Sequence, residues 1–149
     1  MKKAIQWVAA AAVAASCGVA SAQFQKPEDG VKYRQSAFTV MGAHFSRIGA
    51  MANGRVPYDA RVAQENAAVV EALSKLPWAG FAPGTEAVKS KAKPEIWAEK
   101  AKFDQGADRM MAEVAKLNAA AKTGNLDAVK AAFGETAKTC KACHDAYRD

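Results

Sequence analysis

Cysteine and histidine are scarce in this 149-residue chain, which has three of the first and two of the second. Cys17 falls in an N-terminal segment expected to be removed, so the retained chain keeps only Cys140 and Cys143, and no disulfide can tie distant parts of the fold together. Packing must do that. A structural zinc site needs four ligands, and beside Cys140, Cys143 and His144 the only other histidine is His44, without the spacing by which such sites let ligand pairs converge uncrowded. Aromatic residues make up 8% of the chain, and none is interleaved with the basic cluster Lys89, Lys91 and Lys93. Without rings to stack bases, that cluster reads as a solvated surface and not as a nucleic-acid site. No run of about 20 apolar residues is present to span a membrane. No segment alternates apolar and polar residues as a half-buried strand does, and no repeat period appears.

What is present begins with an export leader. Met1–Lys3 is positive, residues 4–15 are rich in alanine and valine, and Ala20-Ser21-Ala22 is an A-x-A cleavage site. Residues 1–22 therefore read as a signal peptide cut before Gln23, which places the mature chain in the periplasm. The segment is too short, and contains Gln6, for an anchor. Cys17 as a lipid acceptor would want a leucine in Ala14-Ala15-Ser16, and none is there. Cleavage leaves 149 − 22 = 127 residues, 23–149, enough for one domain with its own core. The formal charge falls from +6 to +4, because the leader carries Lys2 and Lys3 and no acid.

Four segments of the mature chain carry the three-and-four spacing of amphipathic helices. The first runs from Pro27 to about Met51 with the stripe Val31, Arg34, Phe38, Met41, Phe45 and Ile48. After Asn53-Gly54, Asp59 can cap a second helix with the stripe Val62, Asn66, Val69, Leu73 and Leu76, ended by Pro77. Residues 77–93 read as a long loop anchored by Trp78 and Phe81. Pro94 opens a third helix that runs to about Lys122, with Ile96, Phe103, Ala107, Met110, Val114, Leu117 and Ala121 facing inward. Gly124 stops it. Asn125 caps a fourth, whose inward face is Leu126, Val129, Phe133, Ala137, Cys140 and His144. The fold expected is all-α, an antiparallel four-helix bundle, with helices about 27 to 42 Å long at about 1.5 Å per residue.

The chemistry lies in Cys140-Lys141-Ala142-Cys143-His144, a C-x-x-C-H run that marks covalent attachment of c-type haem. Both thiols add to the haem vinyl groups, and the histidine supplies an axial nitrogen to the iron. On a helix, steps of three and four residues bring Cys140, Cys143 and His144 within an arc of about 100°, so all three can face one planar ligand. A disulfide between the two cysteines would leave the histidine unexplained. A thioredoxin-like redox pair expects a β-α-β context absent from this chain.

The mature chain resembles the cytochrome c′ family along its whole length. The resemblance is carried by Cys140 to Arg148, with support from Lys32-Tyr33-Arg34-Gln35-Ser36 and from the segment Leu76-Pro77-Trp78 to Pro83-Gly84-Thr85. It implies one covalent haem c per chain, a five-coordinate iron held by His144, reversible binding of nitric oxide and carbon monoxide, an unidentified periplasmic redox partner and usually a homodimer. It also puts Phe38 at the apolar distal position, Arg34 and Gln35 near a haem propionate, Trp78 at the haem edge and Arg148 on the proximal side.

The residues themselves leave a rival open. Phe38 cannot coordinate iron, but Met41 shares its stripe and would make a six-coordinate electron carrier. His44 falls beside the stripe and reads as a surface residue. A peroxidase-like enzyme would want a distal base, and the Phe38 stripe has neither histidine nor carboxylate. Arg34 on an apolar face needs a counter-charge, which a propionate would supply. Arg148 follows His144 by four residues and is expected over the same helical face. Gly42, Ser46 and Gly49 form a small-residue line expected to point away from the haem and to suit helix packing in a dimer.

Overall fold

The computed structural model describes residues 23–149, so the expected leader lies outside the described residues. Helix α1, Pro27–Ala52, starts where proline costs no intrahelical bond, with Glu28 and Asp29 at its positive end. It ends at Asn53 and Gly54, the latter at φ 68°, in the left-handed region that glycine enters without steric cost. Helix α2, Ala60–Ser74, is capped as expected: the Asp59 carboxylate accepts from Val62 N at 3.0 Å. Two 3-10 turns, Pro77–Phe81 and Thr85–Ala87, give the long connection its own structure.

The helix expected from Pro94 to Lys122 is two pieces. A single turn, α3, Glu95–Ala98, ends at Glu99 with φ −115° and ψ 40°, and α4, Lys100–Lys122, begins there. Residues 98–100 hold neither glycine nor proline, so the break comes from packing. On its near side Ile96 is buried and Trp97 lies 6.2 Å from the Phe81 ring, while beyond it the α4 stripe enters the bundle. Helix α5, Leu126–Tyr147, is capped by Asn125, which accepts from Ala128 N at 2.9 Å.

Helix α1 packs on α2 and α5, and α4 packs on the same two. Phe38, Trp78, Phe103 and Tyr147 meet at one end, whereas Ala60 and Gly124 meet at the other, so the four long helices run alternately up and down. This is the expected antiparallel four-helix bundle. Its core holds Met41, Ile48, Val70, Met110, Val114, Leu117 and Val129. A second apolar cluster at the Phe38 end holds Phe81, Ile96, Phe103 and Tyr147. Among the described residues no strand forms; Ala92 and Arg148 make one isolated bridge. No helix among them is long and apolar enough to cross a membrane.

Two expected faces are corrected. On α2 the buried residues are Ala63, Asn66, Ala67, Val70 and Ser74, with Val62, Val69 and Leu73 on the flank and Leu76 40% exposed beyond the helix end. Small side chains let α1 and α4 approach closely here, and a ranking by hydropathy undervalues them. The small-residue line on α1 is split: Gly42 and Ser46 are exposed, whereas Gly49 is buried in the bundle. A Cβ on Gly49 would stand 2.6 Å from the Phe133 ring of α5, so Gly49 serves packing within the chain, and Gly42 lines the cavity described below.

Candidate haem site

The C-terminal half of α5 turns Cys140, Cys143 and His144 toward one cavity of about 640 Å³ between the helices. That volume lies in the range of about 300–1,000 Å³ usual for cofactor sites. All eight residues singled out from the sequence line it: Arg34, Gln35 and Phe38 from α1, Trp78 from the first 3-10 turn, the two cysteines and His144 from α5, and Arg148 beyond its end. Gly106 of α4 leaves room for a thiol, since a Cβ there would come within 3.3 Å of Cys143 Sγ. Burial pushes the Cys140 thiol above its ordinary pKa, and the neighbouring Cys143 adds to the rise. Burial also raises Cys143, against the opposing pull of Arg109. His144 is lowered, first by burial and then by Arg148, which favours the neutral imidazole that can ligate a metal.

The wall opposite is aromatic. Phe38 meets Trp78 edge to face with ring centres 5.7 Å apart, and Phe81 at 6.5 Å. Trp78 is fixed in turn by its indole N–H, which donates to Ser74 O at 2.7 Å. Met41 also lines the cavity while packing into the bundle core. His44 is not at the surface: half-buried, it donates from Nδ1 to Asn66 Oδ1 at 2.8 Å and bridges α1 to α2 away from the cavity. Asn66 fixes that direction by giving its amide protons to Val62 O.

Arg34 is 3% exposed, and its protein partners are neutral. Nη1 donates to Gly80 O at 2.6 Å and Thr85 Oγ1 at 3.2 Å, Nη2 donates to Ser90 Oγ at 3.2 Å, and the guanidinium lies 4.4 Å over the Phe81 ring. No carboxylate pairs with it among the described residues. Burial accordingly lowers its pKa.

Arg148 stands one residue beyond the end of α5 and lines the same cavity as His144. α5 ends at Tyr147, and Arg148 is extended at φ −135°. Lys93 N donates to Tyr147 O and Asp149 N to Lys91 O, both at 3.0 Å, so the terminus is stitched to the loop that closes one side of the cavity. Ser90, Lys91, Phe103 and Tyr147 also line the cavity and were not singled out as site residues. The loop members had no local signal, because only the fold of residues 77–93 back onto α1 and α5 brings them there.

These residues fit haem. Two thiols and an imidazole share one face, the walls are apolar and aromatic, and the lining carries the cations Arg34, Lys91 and Arg148 with no carboxylate. An apolar macrocycle with two acidic side arms answers each feature. The fold and this donor set together define a c-type haem protein on a four-helix bundle.

Comparison with known proteins narrows the class. The family profile described as Cytochrome C′ matches residues 29–148. Over 128 residues the chain is 52% identical to cytochrome c′ of Rubrivivax gelatinosus, covering 85% of this chain and 99% of that protein. It is 52% identical over 126 residues to cytochrome c′ of Alcaligenes xylosoxydans xylosoxydans, covering 85% and 98%. The crystal structure of the Rubrivivax gelatinosus protein superposes with a TM-score of 0.83 at 52% identity, over 85% of this chain and all of that one. A nitrosyl complex of an Asp-to-Ala variant of the Alcaligenes xylosoxidans protein gives 0.81 at 49% identity, over 85% and 100%. The chain belongs to the cytochrome c′ family, and it binds one covalently attached haem c.

Proposed function

We propose that this protein is a periplasmic, five-coordinate haem protein that binds nitric oxide and carbon monoxide, and that it sequesters nitric oxide. Cys140 and Cys143 hold the haem through thioethers, and His144 is the proximal ligand. When bound, the haem supplies an iron whose remaining axial position accepts a neutral diatomic. The protein's part is to shape that position. Phe38, wedged against Trp78 and Phe81, offers no lone pair to iron, excludes water and gives no hydrogen bond to a bound ligand. That arrangement is the observation that carries the reading. Arg34 provides an uncompensated buried cation for a propionate, and Gln35 and Arg148 lie on the same lining. The nitrosyl structure of a relative variant supports nitric oxide as a ligand of this chain.

One observation favours a second reading. Met41 is on the cavity lining one turn from Phe38, and a thioether bonded to iron would make an electron-transfer cytochrome. Titration of the reduced holoprotein with carbon monoxide decides between them. Ready uptake with a high-spin resting spectrum supports the open site; a low-spin spectrum and refusal of the gas overturn it in favour of Met41.

A further inference from the structure

We propose that Gly42 is the opening through which a diatomic ligand enters the haem cavity, an inference that rests on the open-site reading above. Gly42 stands in the middle of α1, where glycine is destabilising relative to alanine because it has more backbone freedom to lose. Neither usual reason for a glycine applies. Its φ is not positive, unlike that of Gly54, Gly84 and Gly124. A Cβ built on it meets no neighbouring group within 4 Å, whereas one on Gly30, Gly49 or Gly80 comes within 3.3 Å of another part of the chain.

Its place on the cavity wall supplies a reason. Gln35, Thr39 and Gly42 follow one another by four and three residues and are the exposed part of the α1 lining, with Phe38 and Phe45 half-buried and Arg34 and Met41 buried behind them. Along this rim the side chain shrinks to nothing at Gly42. One turn farther on, Phe45 stacks on Phe133 of α5 with ring centres 4.4 Å apart, closing α1 against α5. The gap at Gly42 therefore lies between Thr39 and that aromatic pair, one turn from Phe38. Helical side chains lean toward the N-terminus, so a larger residue at position 42 would lie over Phe38 and Thr39, across the gap. Phe38 and Gly42 thus act on different quantities. Phe38 shapes the space that the bound gas occupies, and Gly42 sets the passage to it. A barrier on the passage slows entry and escape by the same factor and leaves the dissociation constant where it was.

The test uses holoprotein carrying Gly42→Leu, Gly42→Ala or Ser46→Leu, with flash photolysis of the reduced carbon monoxide complex, an equilibrium titration with the gas, and thermal unfolding. Gly42→Leu should slow association and dissociation alike, by about threefold to tenfold, and raise the fraction of photolysed gas that rebinds before escaping. Its dissociation constant should not move. Gly42→Ala adds a methyl group that meets nothing, so it should raise Tm by about 2–5 °C and show the same kinetic pattern at about twofold, which keeps the test open should the leucine variant fail to hold haem. Ser46→Leu changes an exposed residue one turn farther along α1 and off the cavity lining, and both rates should stay as they were. Unaltered association in both Gly42 variants, an equal slowing in Ser46→Leu, or a slower association with escape unchanged overturns the assignment to Gly42. Refusal of carbon monoxide by the unsubstituted reduced protein would instead overturn the open-site reading beneath it.

Discussion

Gly80 gives its carbonyl to Arg34 Nη1 at 2.6 Å and leaves the space in which its own Cβ would stand 2.7 Å from Arg34 Cβ. One absent methyl group thus sets how closely the first 3-10 turn approaches α1, and the turn carries Trp78 and Phe81 with it. The same missing atom would lie 2.5 Å from Gly30 O, so neither side can yield without moving backbone. Gly80→Ala is expected to destabilise the holoprotein by about 1–3 kcal/mol, as overpacking does, and each kcal/mol lowers Tm by about 3–6 °C at this chain length. Thermal unfolding followed by circular dichroism measures it; an unchanged Tm would show that the turn is not wedged.

Arg34→Leu removes a buried cation and leaves Gly80 O and two hydroxyls without their donor. Stability should fall by about 1–3 kcal/mol from the unpaired carbonyl alone. The reduction potential should also fall, because a nearby positive charge favours the reduced iron, which carries one positive charge fewer. Spectroelectrochemistry reads the sign directly. A potential that rises would mean that Arg34 does not face the haem.

Replacing His144 with glycine should abolish proximal ligation while the thioethers at Cys140 and Cys143 keep the haem attached. Mass spectrometry would report the haem still bound, and the absorption spectrum would change. An identical iron spectrum would contradict His144 as the axial ligand.

Phe38→Ala opens the wall made with Trp78 and Phe81. Carbon monoxide association with the reduced protein should quicken by about tenfold or more, each tenfold being about 1.4 kcal/mol off the barrier. Flash photolysis measures it, and equal rates would assign the distal role to another residue. The substitution also removes half-buried ring area, so some loss of stability accompanies the gain in rate.

Asp59→Ala and Asn125→Ala each remove a cap whose side chain accepts a backbone N–H at a helix start. Each should cost about 1 kcal/mol. Both sites lie at the end of the bundle remote from the cavity, so the haem spectrum should not change; a spectral shift would mean that the two ends are coupled.

The residues most legible in the sequence were those whose meaning is local. The α4 stripe from Phe103 to Ala121 is buried as its spacing predicts, and Asp59 and Asn125 cap where a short oxygen-bearing side chain precedes an apolar run. The Cys140, Cys143 and His144 face follows from helical rotation alone. Illegible were features set by partners several turns to most of the chain away. His44 meets Asn66 across two helices, Gly49 is filled by Phe133, and α3 breaks from α4 because Trp97 is drawn to Phe81. Arg34 announced a need for partners but not that neutral oxygens of residues 80–90 would meet it.

By itself the chain's order of residues settled the four long helical segments, the Asp59 and Asn125 caps and the common face of Cys140, Cys143 and His144, since each depends on angular spacing over a turn or two. Tertiary structure alone decided where the strap of residues 88–93 lies, what Arg34 touches and which side of α2 is inward. Those outcomes turn on distances between segments remote in sequence, fixed only when the bundle closes and buried polar groups must find partners.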